Sequence, residues 1–178
     1  MDRRLNGMKR NAVEPNAVRP RAVRPNAVTD KAAAHVHDKW MLPGKEMILA
    51  ACRGLPHDNH PMLDAAGELA QLHEIRERAP RFDVAKLDRR RTQLVRAVDR
   101  WITLVTPVPY DQVGTYDQTV GRIVDRLAEL VSRTHRPVVH PRDTPTDEAW
   151  SRVSAVADSY QDLVDGLRAG TCRVPDSR

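Results

Sequence analysis

Apolar residues recur at steps of three and four along four stretches of the chain, and each stretch reads as an amphipathic helix. The longest is Asp83 to Thr106, where Val84, Leu87, Leu94, Val98, Trp101 and Val105 form a stripe that Val95 and Ile102 widen. Wound as a helix it makes a rod of roughly six turns with one oily side. Arg91 fills the step between Leu87 and Leu94, in the middle of the greasy face, and Asp99 stands on its flank. A rod this long and one-sided needs partners, and three sister helices are expected to close over it.

The sisters follow from the same periodicity. Pro61 to Arg78 carries Met62, Ala65, Ala66, Leu69 and Leu72, with His73 falling inside the stripe. A helix from about Tyr116 to Thr134, opened by a capping-box pattern at Thr115 to Gln118, buries Val120, Ile123, Val124, Leu127, Leu130 and Val131. Asp125 lies on its other side, level with Gly121, Ala128 and Ser132. Such small residues let a second backbone come close, which would shield Asp125 from bulk water. The last helix, capped by Thr144-Pro145 or Thr146 and ended by Gly170, carries Trp150, Val153, Val156, Ala157, Tyr160, Leu163, Val164 and Leu167. Pro43 to Arg53 makes a shorter helix, with Gly54 as its stop and the run His57 to His60 as a loop that caps the next element. No period-two pattern is present. The expectation is an all-α, up-and-down helical bundle of four long helices plus one short N-terminal helix, occupying residues 43–170 between a tail at 1–42 and a short C-terminal tail at 171–178.

Ahead of the bundle, residues 11–30 read NAVEP, NAVRP, RAVRP, NAVTD. Proline at every fifth place forbids helix and cannot sit in a central strand, so a disordered tail with polyproline character is expected. His35 and His37, in HVHDKW, lack the further ligands a metal site needs. Charge follows the same division. The net charge is +5, and residues 1–31 alone hold eight basic residues and three acids. The remaining residues therefore balance, which argues against a basic nucleic-acid face on the folded body and leaves nucleic-acid contact to the tail. Aromatics make up only 4% of the chain, so the core must be built from Leu, Val and Ala. Two widely separated cysteines, Cys52 and Cys172, fit free thiols better than a disulfide framework. No apolar run reaches membrane-span length and no secretory signal opens the chain, so a cytoplasmic protein without membrane contact is expected.

Three segments resemble a bacterial all-helical family catalogued only as domain of unknown function 4254. They are LAQLHE (Leu69 to Glu74), LDRRRTQLVRAVDRW (Leu87 to Trp101) and QTVGRIVDRLA (Gln118 to Ala128). The resemblance spans roughly Met47 to Gly170. It implies the same helical fold and assigns no activity. Gln118 stands where the family motif has an acid, which speaks against acid–base chemistry at that position.

The residues able to carry chemistry sit on these motif helices. A His with two carboxylates, His73, Asp99 and Asp125, could form a base with an orienting acid, and the arginines Arg91 and Arg126 could hold an anion such as phosphate. No Glu-x-x-His pair for a di-metal bundle, no Gly-rich phosphate loop and no Cys/His nucleophile pairing is present. Catalytic residues, metal and cofactor are therefore none on this reading. The first expectation is a non-enzymatic interaction module, a homodimer or a binder of another protein, with Trp40 and Trp101 offered for contact. The alternatives are a small-anion site built on His73, Arg91, Asp99, Asp125 and Arg126, and nucleic-acid contact by the tail.

Overall fold

The computed structural model describes residues 41–106, 113–134 and 147–175. Within them stand five helices: α1 (Lys45–Cys52), α2 (Pro61–Arg78), α3 (Arg81–Val105), α4 (Val120–Thr134) and α5 (Asp147–Ala169). The architecture is the all-α, up-and-down bundle of four long helices and one short one that the periodicity predicts. The NAVxP repeat, HVHDKW with Trp40, the prolines at 107 and 109, and the loop and cap positions at 135–146 lie outside the described residues, and with them the expectations attached to them. Among the described residues no helix is long and apolar enough to cross a membrane.

The core gathers around α4. Val120, Ile123, Val124, Leu127, Leu130 and Val131 are buried as read, and so are Gly121 and Ala128 on the opposite side. α4 is thus covered from both sides and touches α1, α2, α3 and α5. The short α1 is seated against α2 and α5 as well as α4. The Tyr160 hydroxyl donates to the Pro43 carbonyl at 2.7 Å, and Gln161 Oε1 accepts the Lys45 N–H at 2.9 Å, so α5 fixes the start of α1.

α3 departs from the expectation that the bundle closes over it. It is one unbroken helix, but of the other described helices only α2 and α4 pack on it. Its buried positions are Leu94, Val98, Asp99 and Ile102, while Val84 and Leu87 are half-covered and Phe82 is 81% exposed. The cause lies in α2, whose buried residues all fall between Met62 and Ala70. Beyond them Leu72 is half-buried against the core and Ile75 is exposed, and the ion pair Arg76–Asp88 joins the two helices, with Arg90–Glu68 a second pair alongside the buried stretch. The α2–α3 seam is greasy at one end and ionic at the other.

The His57–His60 loop does cap α2. His60 Nδ1 accepts the Met62 N–H at 3.2 Å while Nε2 faces the Met41 carbonyl at 3.0 Å. The capping box at Thr115 to Gln118 does not form. Thr115 belongs to a two-residue strand, β1 (Gly114–Thr115), paired in parallel with β2 (Cys172–Arg173), and α4 starts at Val120. A pairing this short leaves no alternation to read. It also ties residues 172 and 173, read as tail, to the loop ahead of α4. Gly170 takes φ 67° between α5 and β2, the left-handed conformation that favours glycine at a helix end. Cys52 and Cys172 are both free thiols.

Candidate functional site

The polar residues singled out on α2, α3 and α4 meet on one side of the bundle. Asp125, on α4, is at the centre. His73 Nε2 donates to its Oδ1 at 2.9 Å, and the Arg91 guanidinium stands 3.4 Å from Oδ2. Arg91 reaches Asp88 as well, at 3.6 Å, and Asp88 accepts two bonds from Arg76. Those bonds hold the Asp88 carboxyl below its ordinary range. The chain from Arg76 through Asp88 and Arg91 to Asp125 and His73 thus fills the ionic end of the α2–α3–α4 junction. The Asp125 side chain is only 18% exposed, so it is shielded from bulk water as expected. Arg91, in contrast, is 36% exposed and is no core arginine, because the stripe around it is only partly covered.

Asp99 has a different task. It is buried on α3, and its Oδ1 accepts the Gly121 N–H at 2.7 Å. Gly121 is in the first turn of α4, where backbone N–H groups lack helical partners and negative charge is favoured. Thr119 Oγ1 accepts the Arg122 N–H at 3.3 Å. The start of α4 is therefore capped by its own Thr119 and, across the interface, by Asp99. A Cβ on Gly121 would lie 2.4 Å from the Val95 carbonyl oxygen. Glycine is needed here for the close approach of α3 and not for an unusual backbone angle.

Over this junction opens a cleft of about 760 Å³ between α3 and α4, with the residues before α4 and Pro175 at its mouth. Its lining is almost wholly polar, Val95 and Pro175 being the apolar exceptions. Arg91, Arg96, Arg122 and Arg126 face Asp99, Asp117, Asp125 and Glu129. Three of these acids are already engaged: Asp99 by α4, Asp125 by His73 and Arg91, and Glu129 by Arg126 at 2.5 Å and Arg133 at 3.4 Å. Arg96 and Arg122 have no ion-pair partner among the described residues.

Of the residues read from the sequence, Arg91, Asp99, Asp125 and Arg126 line this one cleft and His73 stands behind Asp125, outside the lining. The histidine therefore orients the carboxylate and does not itself face the cleft, so the geometry assembles no exposed base backed by an acid. No group of three or more metal-type ligands occurs among the described residues. Trp101, offered as a contact residue, packs against the core with its ring edge-on to His60 at 4.9 Å. Sequence reasoning missed Arg96, Arg122 and the Arg76–Asp88 pair. Arg96 and Arg122 sit on polar faces and interrupt no apolar stripe, so no sequence signal set them apart from solvated arginines. No family model matches the chain, and neither does any curated protein or solved structure.

Proposed function

We propose that the α3–α4 cleft binds a small polar ligand through an anionic group, phosphate or carboxylate, and that the protein acts by binding. The observation that carries this reading is the pair Arg96 and Arg122, two guanidinium groups facing a polar cleft whose acids are for the most part already engaged. Arginine's planar fork suits bidentate capture of such oxygens. The volume is within the usual range of small-molecule sites. Kinship with the domain of unknown function 4254 belongs to the same proposal. Its support is that the three resembling segments meet one another, the His73 side chain on Asp125 and the Asp99 carboxylate on the Gly121 N–H.

The test is a thermal-shift series with inorganic phosphate, pyrophosphate and a dicarboxylate. Ligand about 100-fold above its dissociation constant adds roughly 2.7 kcal/mol. For a chain of this size that corresponds to about 5–10 °C in Tm. The shift should vanish in the double variant Arg96→Gln/Arg122→Gln. No shift with any of the three probes, or an equal shift in the double variant, refutes the proposal.

A further inference from the structure

The outer side of α3 carries a row of charges of which the cleft uses only Arg96. Lys86, Arg89, Gln93, Arg96 and Arg100 are all exposed, and their three- and four-residue spacing stacks them in one row. From Lys86 to Arg100 the row extends about 21 Å along the helix. None of its four cations has an ion-pair partner among the described residues, whereas Arg90 and Arg91, nearer the bundle, are both paired. Of the other helices only α2 and α4 touch α3, so no further helix among the described residues covers its outer half. The neutrality of the folded body is thus an average over distinct faces. Asp158, Asp162 and Asp165 share the outer side of α5, which makes no contact with α3.

The chemistry of the row selects among partners. A protein interface needs an apolar core and is depleted of charge at its centre. Large exposed apolar side chains occur only at the row's two ends, Phe82 at 81% and Leu104 at 77%. Nucleic-acid interfaces are polar and strongly positive, and arginine, three of the four cations, grips phosphate bidentately. A single strand would need a series of aromatic platforms, and Phe82 is the one aromatic exposed on this side of α3. A helix roughly 10–12 Å across, its outer half uncovered by any other described helix, suits a major groove about 12 Å wide. We infer that the outer face of α3 is a docking surface for double-stranded DNA, held through its phosphates.

The experiment titrates the full chain into a labelled DNA duplex about two helical turns long, following anisotropy across a salt series. The variant is Lys86→Gln/Arg89→Gln/Arg100→Gln, which spares Arg96 and the cleft. All three side chains are exposed, so its melting curve should match that of the unmodified chain. Each phosphate contact contributes about −0.9 to the slope of log affinity on log salt, so the variant should lose roughly 2.7 units of slope and at least about tenfold in affinity near 50 mM salt. A second variant, with the basic residues of 1–31 changed to Gln, should keep the contribution of α3. The inference is overturned if the chain does not bind duplex at low salt, if the triple variant binds with unchanged affinity and slope, or if the tail variant alone abolishes binding. Displacement of the duplex by poly-glutamate or a single strand as readily as by unlabelled duplex also overturns it.

Discussion

Gly121→Ala tests how closely α3 and α4 are held together. The added methyl would lie 2.4 Å from the Val95 carbonyl oxygen and 2.8 Å from Asp99 Oδ1. Ordinary contact starts about 1 Å further out, and the nearer atom is backbone, so the two helices must part. Overpacking of this kind costs about 1–3 kcal/mol. Parting the helices also stretches the bond from the Gly121 N–H to the buried Asp99 carboxylate. A hydrogen bond to a charged group is worth about 1.5–3 kcal/mol. Against this stands a gain of at most about 1 kcal/mol in helix propensity. The loss wins, by about 2–4 kcal/mol, which lowers Tm by about 5–15 °C in a chain of this length. Gly67→Ala is the control. Its methyl would meet the Ala51 carbonyl oxygen at 3.3 Å, a contact that small adjustments relieve, so its stability should stay within about 1 kcal/mol of the parent. Urea unfolding followed by circular dichroism reads both. If Gly121→Ala is neutral or stabilising, the close approach is not what joins α3 to the core.

Two further outcomes follow from the polar residues. Arg91→Leu should cost about 1 kcal/mol or less, because Arg91 is 36% exposed and Asp125 keeps its bond from His73. A urea-measured loss of about 3–5 kcal/mol would show instead that Arg91 alone neutralises an enclosed charge. His60 sets a pH dependence: burial holds its pKa below the ordinary 6.5, and its Nδ1 must stay unprotonated to accept from Met62. The unfolded chain therefore takes up the proton first, so stability is full above about pH 6.5 and falls on acidification until the folded-state pKa is passed. Unfolding free energies at pH 7.5 and 5.5 should differ in that direction, and His60→Asn, which keeps a cap acceptor, should flatten the difference; an equal slope in the variant would remove His60 as its source.

How far the fold and the site could be read in advance depends on where each side chain's partner lies. The bounds of α2 came out as Pro61–Arg78 because its start signals, a proline in the first turn with a histidine before it, are local. The start of α4 did not, because one of its caps, Asp99, is 22 positions away on α3. His73 and Arg91 could be picked out because they interrupt apolar stripes, whereas Arg96 and Arg122 interrupt nothing. The misplaced centre has the same origin. A stripe of large apolar residues measures one covered face, and by that measure Asp83 to Thr106 leads the chain. A helix becomes central by being approached from two sides, and on α4 the second side is made by Gly121 and Ala128, which contribute almost no apolar bulk. There the carbonyl of Val95 and the carboxylate of Asp99 come in where side chains are missing. The position of α4 at the core is therefore encoded by absent atoms, and the carboxylates beside it, Asp99 and Asp125, are held by that same close approach.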